Sequence, residues 1–378
     1  MSENKKQHYV PQFYLKNFSQ DKKRLFIYHL ASEKSNPGPI SSTCQEKYFY
    51  GNDGEFEKVL SEMETSQAKV IKKILKNGSV KGLSSKEFSN LLIFIMLQLT
   101  RTRDAKNSAE NIYDFFAENF ILPMIKGHEK LKKYPPELLE LLDVAKNPEF
   151  YKTLLVIACK NAEGISDLKP FLLINKTSKP FIASDSPIVL NNIIKLGNLS
   201  MIGFLSPGLQ IICPLCDTIA LLLVDAEPYK IQSNPDSTIY ISVESDVDNL
   251  NFLQVLNCFE VVFSQRAEDE KYINKIHDEC KTLKITKAVK GKEVCKISKP
   301  NVKQSTVTHV QQEGMNYSMR FSFLKLDHEK FCKFKARFEK LSKESDAVIP
   351  CRNEKYAQKV NDKHKNLFKK AKDSEEPK

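Results

Sequence analysis

Residues 84–101, SSKEFSNLLIFIMLQLTR, decide the fold of this chain. Ser84 and Glu87 stand at capping-box spacing, and Leu83 with Phe88 can close the same helix start as a hydrophobic staple. Leu91 to Leu97 is apolar on every side, which predicts the central buried helix of a helical layer. Gln98 and Arg101 follow on one face, three residues apart. An amide and a guanidinium beside so apolar a segment need partners, because a buried unpaired polar group costs about 1–3 kcal/mol.

Working outward, the pattern predicts a helix over about 54–77. Asn52 and Glu55 are its candidate capping box, Phe56, Val59, Leu60, Met63, Val70, Ile71 and Ile74 its buried face, and Gly78 its stop. Glu64 lies at the edge of that face, where an antiparallel helix hairpin would let it pair with Arg101. Further helix is expected to Ile121 and near 136–145 and 149–162. Before this layer, a short helix starts at Pro11. Residues 24–30 read as a strand ended by a turn at 35–39, and 47–50 as another short strand. After it the period changes: 170–174, 180–183, 209–213, 219–224, 238–243 and 259–263 read as strands, and 247–257 and 267–279 as helices. Helices first and a mostly antiparallel sheet second make the fold class α+β.

The 378 residues divide by charge. Residues 281–378 hold 25 Lys and Arg against 12 Asp and Glu, a net of +13, while residues 1–280 carry −2. The expected organisation is a body over 1–280, helical at 54–163 and strand-rich at 168–265, with a Lys-rich extension over 281–378. In the extension, 321–324 reads as a strand, 327–344 as a helix and 352–378 as a frayed or disordered tail. Nine scattered cysteines and the lack of an N-terminal apolar segment predict a reducing cytoplasm as the expected location, and the longest apolar run is too short for a membrane span.

Candidate chemistry comes from five residues. His8 precedes the Pro11 helix and can serve as a base near neutrality or cap that helix. Asp185, in Ala183-Ser-Asp-Ser-Pro187, sits at a strand end, either as a turn former or as a carboxylate that holds a metal or orients His8. Arg101 and Gln98 either bind a phosphate or carboxylate or belong to a structural pair with Glu64. Tyr9 and Asn257 are weaker candidates. The lone Cys213-Pro-Leu-Cys216 lies between predicted strands, where two core or turn cysteines are the plainer reading than a metal or redox site. Lys333, Lys335, Arg337 and Lys340, interleaved with Phe331, Phe334 and Phe338, suit a phosphate backbone or the solvated face of a docked helix.

The segment HYVPQFYLKNF at 8–18 resembles the opening motif of the bacterial family known as domain of unknown function 4238. EKVLSEMETSQAKVIKKIL, LLIFIMLQLTRTRD and PFIASDSPIVLN are similar to later segments of that family, in order, and NFLQVLNCFEVVFSQ more weakly. The resemblance covers about residues 5–266 and implies no established activity. Two functions fit the residues. One is a phosphodiester hydrolase, a nuclease of a bacterial defence or mobile-element system. In it Arg101 and Gln98 hold the phosphate, His8 is the base, and Asp185 with Glu64 orients it or holds a divalent ion. The other is a non-catalytic nucleic-acid or protein-binding module whose polar residues form a buried network.

Overall fold

The computed structural model describes residues 6–52, 54–116, 148–194, 203–283, 289–299, 302–312, 317–344 and 351–352. The chain opens with β1 (Lys6–His8), α1 (Gln12–Leu15), β2 (Arg24–His29), β3 (Lys34–Pro39) and β4 (Gln45–Lys47). The helical layer follows as α2 (Glu55–Asn77), α3 (Ser85–Thr100), α4 (Arg103–Phe116) and α5 (Pro148–Lys160). Then come β5 (Lys169–Asn175), β6 (Ala183–Ser184), β7 (Val189–Asn191), β8 (Gln210–Pro214), β9 (Ile219–Val224), β10 (Tyr229–Ile231) and β11 (Thr238–Ile241). The remainder is α6 (Glu244–Asn257), β12 (Val261–Ser264), α7 (Glu270–Lys281), β13 (Val289–Lys299), β14 (Val302–Gln312), β15 (Leu324–Leu326) and α8 (His328–Glu344). The class is α+β, as the periodicities require.

Helix α3 is the hub. The Ser84 hydroxyl accepts from the Glu87 N–H, and the Glu87 carboxylate accepts from the Ser84 N–H, so both halves of the capping box form. Leu91, Leu92, Phe94, Ile95, Met96 and Leu97 are all buried. Replacing fully buried Ile95 by Ala would cost about 2–5 kcal/mol.

The five-stranded sheet, ordered β11-β5-β9-β8-β7, is antiparallel except where β11 runs parallel to β5. It is buried on both faces. Leu172, Ile211, Cys213, Leu221 and Leu223 face the core shared with α2, α3 and α5, while Leu173, Ile212, Leu222 and Val224 face Val247, Leu250 and Leu253 of α6. That explains the near-continuous apolar run Ile219–Val224: a strand covered on both sides has no polar face.

Several expectations are corrected. Residues 35–39 are not a turn but strand β3, paired with β2 at the edge of the sheet β3-β2-β12-β6. Pro37 and Pro39 are tolerated there because an edge strand has one side free of ladder bonds. Residues 48–50 do not continue a strand: Tyr48 has φ 55°, and the Gly51 N–H donates to the Tyr48 carbonyl at 2.9 Å, closing a turn. Helix α2 is capped by Gly54 at φ 70° without a side-chain bond, so no Asn52–Glu55 box forms, and Val59 is exposed. Gly78 does end it, at φ 60°. Strand β12 pairs with β2, which joins a strand after the helical layer to one before it. The helix expected at 136–145, the continuation to Ile121 and the tail after 352 lie outside the described residues.

Candidate active site

A cleft of about 340 Å³ opens beside α2, lined by Lys6, His8, Gln12, Ser41, Glu57, Ser61 and Glu64. Helix periodicity builds its wall: Glu57, Ser61 and Glu64 stand at i, i+4 and i+7 on α2 and share one face. Strand β1 carries His8 opposite Gln45 of β4. Its neighbour Gln7 is buried on the other side and fixes the Tyr48 turn, donating to the Gly51 carbonyl at 2.9 Å and accepting from the Tyr50 N–H at 2.6 Å.

That turn delivers Tyr50 to Arg101. The buried Arg101 donates from Nε to the Tyr50 hydroxyl at 2.5 Å and from Nη2 to the His8 carbonyl at 2.7 Å. The same Nη2 meets Glu64 Oε1 at 2.6 Å. Burial works against the guanidinium charge, but Tyr50 and Glu64 outweigh it and keep Arg101 protonated. The expected Glu64–Arg101 pair is therefore present. Gln98 donates to the Tyr9 carbonyl at 3.0 Å, while its Oε1 and Arg101 Nη1 are buried without a hydrogen-bond partner. Neither Gln98 nor Arg101 lines the cleft.

Two cleft residues carry unspent polar atoms. Burial lowers the His8 imidazole below its ordinary 6.5, with Arg101 adding to the effect and backbone groups of Ile40 and Ser41 and the Glu64 charge opposing it. Burial raises the Glu57 carboxyl above its ordinary 4.5; the Arg101 charge opposes that and the Glu64 charge adds to it. His8 Nε2 and Glu57 Oε2 are buried and lack hydrogen-bond partners. A neutral imidazole and a carboxyl held toward its acid form are the two halves of a proton-transfer pair. Sequence reading missed Glu57 and Tyr50. The spacing of Glu57 and Ser61 ahead of Glu64 was the available signal for the first; nothing local pointed to the second.

Asp185 stands elsewhere. Its carboxylate accepts from the backbone N–H groups of Phe259 (2.8 Å), Glu260 (2.6 Å) and Val261 (3.1 Å), fixing the turn into β12. Burial raises its carboxyl, and these three donors offset part of that. The expectation that it orients His8 is not met, because its acceptors are occupied by this turn. Asn257 likewise bonds backbone, at the Ser186 and Ile188 carbonyls. Among the described residues no three His, Cys, Asp or Glu side chains group to hold a metal ion. Cys213 is buried in β8, where the Tyr14 hydroxyl donates to the Pro214 carbonyl at 2.5 Å, and Cys216 is half-buried in the β8–β9 connection.

On α8, Lys333 pairs with Glu329 at 2.7 Å and Lys335 with Glu339 at 3.7 Å. Phe331 and Phe334 pack against Ile194, so this face of the helix docks on the body. The side chains of Arg337 and Lys340 lie outside the described residues. No helix among the described residues is long and apolar enough to cross a membrane.

No curated protein and no solved structure matches the chain. The family model described as Protein of unknown function (DUF4238) matches residues 6–268, well over half of the 378. By that match, across both the cleft and the sheets that support it, the chain belongs to the DUF4238 family.

Proposed function

We propose that this chain is a nuclease that breaks phosphodiesters by proton transfer at the cleft, with RNA as its substrate. One observation carries the reading: His8 and Glu57 face a single cleft, with His8 Nε2 and Glu57 Oε2 unpartnered and burial shifting the two groups in opposite directions. RNA suits such a pair because it brings its own nucleophile. His8 takes the proton of a ribose 2′-hydroxyl, the freed oxygen attacks phosphorus, the P–O5′ bond breaks, and Glu57 gives its proton to the leaving O5′. The products are a 2′,3′-cyclic phosphate and a 5′-hydroxyl. Lys6 at the cleft offers positive charge to the phosphate, while Arg101 holds Glu64 and the His8 backbone in place. In this reading Arg101 and Gln98 are positioning residues, and Asp185 is structural, holding the turn into β12.

The test is incubation of purified protein with end-labelled RNA and DNA, with and without EDTA, beside His8→Ala and Glu57→Gln variants shown by circular dichroism to be folded at the assay temperature. Cleavage of RNA that leaves cyclic phosphate ends and disappears in both variants is expected. Intact RNA with wild-type protein would refute it. A non-catalytic binding module is the second reading. It is favoured by one observation, that Arg101 and Gln98 already bond within the protein.

A further inference from the structure

We propose that the exposed lysine ridge of helix α2 is the track on which a single-stranded RNA lies as it enters the cleft. The choice of ligand rests on the cleft reading; the residues that carry the proposal are a separate set. Helix α2 is divided by charge. From Glu55 to Glu64 it holds Glu55, Glu57, Glu62 and Glu64 against Lys58 alone. Residues 65–86 cover the rest of α2 and the turn into α3. They contain Lys69, Lys72, Lys73, Lys76, Lys81 and Lys86, and no Asp or Glu. The near-neutral total of residues 1–280 conceals this concentration.

Local structure explains only part of the cluster. Lysine at a helix C-terminus faces the negative end of the macrodipole, which suits Lys76 in the last turn of α2. That effect fades within one turn and does not reach Lys69, nor Lys81 and Lys86 beyond the helix. Ion pairing takes little of the charge. Lys73 Nζ meets Glu87 Oε2 at 2.8 Å, and Lys81 stands in the field of Asp236. Lys69, Lys72, Lys76 and Lys86 are exposed and pair with no acid among the described residues.

Helical spacing joins the lysines to the cleft. Ser61, Thr65, Lys69, Lys72 and Lys76 follow one another at steps of three or four residues, so they form one ridge along α2. All five are exposed, and Ser61 lines the cleft. Glu62 flanks the ridge at its cleft end, and no acid follows until Glu87. From Ser61 to Lys76 the helix rises about 22 Å, enough to accompany a strand over several nucleotides. Ammonium groups on flexible stems follow a phosphate chain without demanding one geometry, and contacts of that kind position a strand without reading its bases. A single strand suits the cleft because its 2′-hydroxyl is free to swing in line with the leaving O5′. Lys333 and Lys335 on α8, by contrast, are each offset by a glutamate one turn away.

The experiment compares three full-length proteins, each checked for folding by circular dichroism. They are the wild type, a ridge variant with Lys69, Lys72 and Lys76 changed to Gln, and a control with the exposed Lys23, Lys169 and Lys230 changed to Gln. Cleavage is followed on a dinucleotide, which fills only the cleft, and on a single-stranded RNA long enough to run the length of α2. Binding of the long strand is read by fluorescence anisotropy between about 50 and 200 mM salt, with His8→Ala added to each protein to prevent turnover. For the long strand the ridge variant is expected to show a KM raised about tenfold or more at unchanged kcat, and a salt slope shallower by about two, three single-strand contacts at about 0.7 each. Dinucleotide cleavage should not change, and the control should match the wild type. Wild-type KM and salt slope in the ridge variant, an equal loss in the control, or ridge-dependent binding of anionic lipid vesicles with no binding of RNA would each overturn the proposal. The two readings separate cleanly. Cleavage that ignores the three lysines sinks the track and leaves the cleft, while RNA binding that needs them, with no cleavage by the wild type, sinks the cleft reading and leaves the track.

Discussion

Arg101 Nη2 and Glu64 Oε1 stand 2.6 Å apart, with the arginine side chain 1% exposed and the glutamate 23% exposed. One partner is sealed in the core and the other looks into the cleft, so the pair transmits the position of α3 to the cleft wall on α2. Arg101→Ala strips the buried fork from Tyr50, from the His8 carbonyl and from Glu64 together. A loss of about 3–5 kcal/mol is expected in urea unfolding, the usual result of breaking a buried charge pair. Glu64→Gln keeps an acceptor and should cost less than half as much. Combining the two should cost clearly less than their sum. Strict additivity would mean that the two side chains do not stabilise each other.

Asp185 holds three backbone N–H groups at the entry to β12. Asp185→Asn keeps the shape but turns one acceptor into a donor that faces donors. About 2–3 kcal/mol should be lost, seen as a lower thermal midpoint. RNA cleavage per folded molecule should not change. A folded Asp185→Asn protein with no cleavage would return this residue to the chemistry.

The cleft predicts a pH signature. Glu57 is raised above 4.5 by burial. As pH rises from there, the unfolded chain releases its proton before the fold does, so stability falls through the window up to the raised value. His8 is lowered below 6.5 by burial, so stability falls in the other direction, as pH drops from 6.5 toward the lowered value. Glu57→Gln should therefore gain on the wild type in thermal midpoint as pH climbs from below 4.5 to neutrality. Cleavage should follow a bell: an acid limb below 6.5, where His8 gains a proton, and an alkaline limb where Glu57 loses one. A midpoint difference that stays flat with pH would show that Glu57 is not held toward its acid form.

What the sequence made legible follows the range of the forces involved. The helical layer and the double-faced strands were readable because burial acts on every third or fourth residue, or on every residue in a run. Ser84 and Glu87 were readable because their bonds are local. The Glu64–Arg101 pair was readable because a guanidinium at the end of an all-apolar helix must be paired by a nearby acid. Asp185 stayed open between a turn former and a site carboxylate because its partners, Phe259 to Val261, lie more than seventy residues away, and the two look the same in sequence at a strand end. Tyr50 was out of reach since its delivery depends on a left-handed Tyr48, a conformation no local residue preference announces.

Strand β3 offers the sharpest test of the corrected fold. Gly38 pairs with Leu25 across the β2–β3 ladder, and a Cβ built on it would lie 2.5 Å from Ile27 Cδ1. The position needs glycine for space, so the turn-like Ser-Asn-Pro-Gly-Pro sequence is really a strand that lets Ile27 fold over it. Gly38→Ala should cost about 1–3 kcal/mol through overpacking. Ile27→Val removes the Cδ1 methyl and alone should cost about 0.5–1.5 kcal/mol. In the double variant the alanine methyl occupies the room that Cδ1 vacates, so the protein should be more stable than Gly38→Ala alone. Urea midpoints of the four proteins decide the matter. If the valine adds its full cost on top of the alanine, Ile27 is not what excludes the methyl.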